Sequence, residues 1–155
     1  MDLTGDEIAG VIDLFGALER EELTNALVEL SFRRGGEADD ERVDTAIDEA
    51  VAEFALVPVA GRLVAGPAAF PTLPEGAEDL PHILDFERRP VDREAAARAA
   101  ERRFREAVGE ATEAGDSGRL RDLLEISYDL EAWGPVEVGD VREEVDRVLS
   151  GNPEK

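Results

Sequence analysis

Arginines and carboxylates are the residues best placed to do chemistry in this chain. Arg98, Arg102 and Arg105 fall at i, i+4 and i+7, so a helix would carry them on one face. With Arg88, Arg89, Arg93 and Arg103 they form the strongest cationic group in the sequence, of the kind that meets phosphate. However, Glu94–Arg98, Glu101–Arg105 and Arg102–Glu106 are also i,i+4 pairs. A solvated, salt-bridged helix explains the same residues and is the preferred reading. Few aromatics interleave, so stacking on single-stranded nucleic acid is not indicated.

Other chemistries are poorly supplied. His82 is the single histidine and there is no cysteine, which excludes two-histidine zinc geometries and thiolate sites. The carboxylates Glu37, Asp39, Asp40 and Glu41 do not follow calcium-loop spacing. Ser31, Ser117, Ser127 and Ser150 have His82 as their only imidazole, and no Gly-x-Ser-x-Gly elbow occurs. Gly35-Gly36 lacks the Lys-Ser/Thr of a phosphate loop. No catalytic, cofactor-binding or metal-ligating residue is assigned, and the chain reads as a non-enzyme. A small hydrolase built on His82 and two acids ranks below the other readings.

Charge describes the solvent more than the task. The sequence has 38 acids, sixteen arginines and one lysine, Lys155, for a formal charge of −21. Such a chain repels itself in dilute salt. Where the Debye length falls to about 3 Å, near 1 M salt, that repulsion is screened. A cytoplasmic protein of a salt-accumulating halophile is expected. The start of the chain shows no basic region followed by an apolar run, and no apolar stretch approaches a membrane span, so neither a signal peptide nor a membrane partner is expected.

The elements that would position these residues are mainly helical. Thr4 and Glu7 form a capping box, and Ile8, Val11, Ile12, Phe15 and Leu18 predict a first helix over 6–18. A second begins near Arg20, carries Leu23, Ala26, Leu27 and Leu30 inward, and ends at Gly35-Gly36. A third opens at Asp39 or Asp40, with Val43, Ala46, Ile47, Ala50, Val51 and Phe54 on its apolar face. Residues 54–59 and 62–65 then read as a hairpin turning at Ala60-Gly61, with Pro58 marking an edge strand. Pro67, Pro71, Pro74 and Pro81 punctuate 67–91, which is too apolar for a free linker. An ordered strap with a turn of helix near 79–84 is expected. A long helix over 93–114 follows. The next starts at Ser117 or Gly118, with Leu120, Leu123, Leu124, Ser127, Tyr128 and Leu130 as its core face. A last helix is capped by Asp140 and Glu143, and residues 151–155 should fray.

Three helices and a hairpin follow winged-helix order. The stretch from Val11 to Leu23 resembles the first helix, turn and second helix of winged helix-turn-helix domains, over residues 4–66. The connection Arg33 to Ala38 departs from the usual short turn. The whole chain also resembles a haloarchaeal family classed as a domain of unknown function. The carrying segments are Leu14–Leu18, Val64–Pro74, Asp79–Ile83 and Tyr128–Trp133. That resemblance implies no activity, cofactor or catalytic residue.

The resulting organisation is a winged-helix-like unit at 4–66, a strap at 67–91 and a three-helix extension at 92–150 packed on the first unit. Winged helices often bind DNA, but the outward positions of the third helix are Glu41, Arg42, Asp44, Thr45, Asp48, Glu49 and Glu53. Only Arg42 suits a reading helix, and the wing adds only Arg62. The expected function is therefore a protein-interaction or adaptor module. The alternative is a nucleic-acid-associated regulator using Arg98, Arg102 and Arg105, with a dimer allowed. Tyr128 and Trp133 are either an aromatic contact for a protein partner or, as preferred for Trp133, an anchor of the last helices on the first unit.

Overall fold

The computed structural model describes residues 3–36 and 39–151, and its first helix starts where the capping box directs. In α1 (Gly5–Asp13) the Glu7 N–H donates to Thr4 Oγ1 at 3.1 Å, and the Thr4 N–H donates to Glu7 Oε1 at 3.1 Å. Ile8, Ala9, Val11 and Ile12 are buried. The helix stops at Asp13, short of the expected Leu18. Phe15 and Leu18 are buried as their spacing suggests, but non-local bonds place them there. Leu18 leaves helical geometry to pair with Leu63, donating at 3.1 Å and accepting at 2.7 Å. Gly16 turns the chain between them at φ +86°.

Helix α2 (Arg20–Arg33) buries Leu23, Ala26, Leu27 and Leu30 as expected. The arginine-to-Ala38 connection and the carboxylate Glu37 lie in part outside the described residues, as does the expected fraying beyond Gly151. Asp39 caps α3 (Asp40–Ala52), its carboxylate accepting from the Arg42 N–H at 2.8 Å. Val43, Ile47 and Ala50 are buried. Phe54, expected in the first strand, instead ends the helical region at φ +66° with its side chain fully buried.

The hairpin pairs β1 (Leu56–Val59) with β2 (Arg62–Ala65), in the register Leu56↔Ala65 to Val59↔Arg62. Ala60 and Gly61, at φ +52° and +82°, make the two-residue turn that matches strand twist. Leu63 gives both its backbone groups to Leu18, so Pro58 opposite it needs no N–H. The expected edge position of β1 follows.

The strap lies along α1. The Thr72 N–H donates to Asp6 O and the Phe70 N–H to Asp6 Oδ1, both at 3.0 Å. At the other end of the helix, the Arg89 N–H donates to Phe15 O at 2.7 Å. Between them, a 3₁₀ turn at Ala77–Asp79 runs into α4 (Leu80–Ile83), with Ala77 and Leu80 fully buried. Gly10 makes the crossing feasible: a Cβ there would stand 2.1 Å from Thr72 O.

The chain divides into two compact units between Asp92 and Arg93. The second contains α5 (Arg93–Ala114), α6 (Ser117–Trp133) and α7 (Gly139–Leu149). Its interior is built largely from small residues, with Ala96, Ala97, Ala100 and Ala111 beside Phe104, Leu123, Leu130 and Val145. Asp116 caps α6, accepting from the Arg119 N–H at 3.0 Å. Two expectations fail here. Tyr128 is exposed, because Ile126 takes the inward position. Helix α7 begins one residue before Asp140, which turns outward to Arg105, while the N-cap N–H of Val138 is met by Glu131 Oε2 at 2.8 Å.

Candidate functional site

Two helical faces and three exposed rings, Phe32, Phe70 and Tyr128, are the candidate surfaces. On α3, all seven positions expected to face outward are exposed, from Glu41 to Glu53. The acids are partly held from within. Arg20 of α2 reaches across with Nη2 2.7 Å from both Asp44 Oδ1 and Asp48 Oδ1. Burial alone would lower the Arg20 guanidinium, but these bonds outweigh it and raise its pKa above the ordinary value. Arg42 and Arg62 are exposed on α3 and β2. Arg62 borders a shallow concavity with Arg20, Asp48 and Pro58. This face can place two free guanidinium groups among several carboxylates, and it offers no continuous cationic track.

The arginine group at 88–105 does not act as one surface. Arg88 stays exposed but folds back on α1, its Nη1 donating to Asp13 O and Leu14 O at 3.0 Å, where it satisfies carbonyls at the helix end. Arg89 forms a two-pronged, half-buried pair with Glu22, at 2.6 and 2.9 Å, and reaches Ala17 O at 3.2 Å. Its hydrogen bonds hold the Glu22 carboxyl below its ordinary pKa, against the opposing effect of burial. Both arginines therefore fasten the strap's end to the turn after α1. Arg93 covers the Trp133 ring at 5.2 Å and donates to Trp133 O, within the second unit.

On α5 the three predicted face residues differ in state. Arg98 pairs with Glu94 at 3.1 Å, an exposed contact of small energetic value. Arg105 bonds Glu101 at 3.0 Å and Asp140 at 3.1 Å, and its bond to Asp140 holds that carboxyl low. Arg102 is exposed and the expected Arg102–Glu106 bridge is not formed, so among the described residues its guanidinium has no partner. Burial lowers the neighbouring Arg103.

Tyr128 is the exposed ring of the second unit. The Arg142 guanidinium stands 4.4 Å from its centroid and also meets Glu131 at 3.0 Å and Ser127 Oγ at 3.3 Å. The Val138 N–H, then Arg142, hold the Glu131 carboxyl low. This closed network holds α6 to α7. His82 is exposed on α4. Ser127 and Ser150 donate to the carbonyls of Leu124 and Arg147, while the buried Ser31 hydroxyl has no partner among the described residues. Among the described residues no cluster of three metal-ligating side chains occurs.

Sequence reasoning missed Phe32, the most exposed large apolar side chain together with Phe70. Its signal was available: Phe32 falls off the stripe formed by Leu23, Ala26, Leu27 and Leu30.

A profile of a family of unknown function, DUF7109, matches residues 6–150. The chain belongs to that family. None of the curated proteins and none of the solved structures matches it. In this DUF7109 chain, Leu14–Leu18 receives Arg88 and Arg89 from the strap's end, and Val64–Pro74 runs into the strap and supplies Phe70 and Thr72 to it.

Proposed function

We propose that this chain is a non-enzymatic protein-interaction module with a winged-helix-like first unit. The observation that carries this reading is the exposure of Phe32 and Phe70, each at 76%. Phe15, Phe54 and Phe104 are fully buried, so the chain has interior places for rings and leaves these two outside. The Phe70 backbone is held by Asp6, which keeps the ring presented rather than loose. Exposed rings suit a partner that covers them. The order α1, α2, α3, β1, β2 supports the winged-helix likeness, and the acidic α3 face favours protein over phosphate as its partner. The acid excess and near absence of lysine support a haloarchaeal cytoplasm as its setting.

Capture from native cells at high salt tests the reading. One protein complex should be enriched, untouched by nuclease and reduced by Phe70→Ser; capture indifferent to Phe70 and Phe32 would refute it. The exposure of Arg98 and Arg102 favours a second reading, a nucleic-acid-associated regulator. Retention on DNA in molar KCl, abolished by Arg98→Glu with Arg102→Glu, would select that reading.

A further inference from the structure

The outer face of α5 changes sign along its length. Arg98, Arg102 and Arg105 continue, at helical spacing, into Gly109, Thr112, Glu113 and then Asp116 just beyond the helix. This order opposes the helix dipole, which favours acids at the first turn and bases at the last. Contacts within the unit account for Arg98 and Arg105. Among the described residues they leave Arg102 and Glu113 without ion pairs.

Gly109 marks the centre of the change. A glycine inside a helix costs about 1 kcal/mol relative to alanine. Among the described residues, no atom beyond its chain neighbours and its own helical backbone lies within 4 Å of where a Cβ would stand, so packing does not require a glycine here. It sits in an open groove of about 370 Å³, with Val108 and Val141 beside it, Arg105 one turn before it and Glu113 one turn after.

We propose that this groove docks on the same groove of a second copy, with two α5 helices crossing antiparallel at Gly109. A two-fold axis there sets Arg105 opposite Glu113 of the second copy and Arg102 opposite Asp116, each contact occurring twice. At 1.5 Å per residue these charges lie about 6 and 10 Å from the crossing, with Glu113 also within an arginine's reach of Arg102. The absent Cβ lets the two backbones approach. A parallel crossing would oppose like charges, and a polyanion would meet Glu113. Only the antiparallel copy satisfies both halves of the face. The dimer holds whether or not the first unit recruits a partner.

Sedimentation equilibrium of the full chain, at the lowest KCl concentration that keeps it folded, tests the proposal. The wild type should dimerise within the micromolar-to-millimolar range. Arg102→Glu and Glu113→Arg, each alone, should weaken the dimer about tenfold or more while circular dichroism stays unchanged. An equimolar mixture of the two should associate more tightly than either variant, because reversed charges then meet across the axis. A wild type that remains monomeric, single variants that match it, or a mixture no tighter than its components would each overturn the proposal.

Discussion

Helices α1 and α5 each carry a glycine in mid-helix, and the two glycines have opposite surroundings. Gly10 lies under the strap, with the Thr72 carbonyl where its Cβ would stand; Gly109 faces open space. The first unit covers its own helix gap with a segment of its own chain, and the second unit leaves its gap uncovered. Charge differs in the same sense. Residues 1–92 hold 22 acids and seven arginines, a formal charge of −15. Residues 93–155 hold 16 acids and ten bases, a charge of −6. In the first unit Arg20, Arg88 and Arg89 are tied inward or across neighbouring acids, whereas Arg98 and Arg102 of the second stand on its surface. A count of arginines is therefore a poor guide to cationic surface.

Salt should separate the units most. Thermal unfolding followed from about 0.1 to 3 M KCl should show a steep rise in midpoint, as screening removes self-repulsion. Hydrogen exchange on the intact chain at low salt should show α3 amides losing protection before those of α5. A flat midpoint, or simultaneous loss, would break the contrast in charge.

The glycines give the next largest effect, with opposite signs. Gly10→Ala must push the strap off α1 and should cost about 3 kcal/mol in denaturant unfolding. Gly109→Ala should gain about 0.5–1 kcal/mol by helix propensity alone. Equal signs would mean that the strap does not press on α1 in solution.

The Arg89–Glu22 latch sharpens the comparison through pH. Glu22→Gln removes a charged, half-buried bond and should cost about 1–2 kcal/mol near neutrality. The folded Glu22 carboxyl titrates below its unfolded value, so its contribution is present above the unfolded pKa of about 4.3. It is lost as the pH falls through the lower folded pKa. The wild-type advantage over Glu22→Gln should therefore hold above about pH 5 and shrink below the ordinary carboxylate range. The same substitution should leave α5 exchange rates unaltered.

Ala60→Gly should have the smallest effect. Ala60 holds φ +52° in the hairpin turn, and glycine removes that strain at some entropic cost, for a net gain of about 0.5 kcal/mol in equilibrium unfolding.

What was legible in the sequence followed how local its cause is. The Thr4–Glu7 box, the start of α3 at Asp39–Asp40, the start of α6 at Ser117 and the Ala60-Gly61 turn depend on neighbours within four residues, and each forms where the spacing implies. The end of α1 was not legible. Phe15 and Leu18 continue the helical stripe, yet Arg89 and Leu63, each more than forty residues onward, supply the bonds that turn the chain there. Asp140 resembled a cap until Arg105 competed for it from another helix. Tyr128 was misplaced because Ile126 and Leu130 already fill the inward stripe of α6. The candidate surfaces were half legible: the acidic α3 face follows from period alone, but the bonds that tie Arg88 and Arg89 to the end of α1 depend on where the strap ends.

The strap also orders events during synthesis. Helix α1 is made before the strap, yet the carbonyls at its end wait for Arg88 and Arg89. Until the strap has also left the ribosome, the apolar flank of α1 has no lid, and a nascent chain must keep that flank from other apolar surfaces. Closing so long a loop should make strap docking a late step in folding, after the local helices have formed.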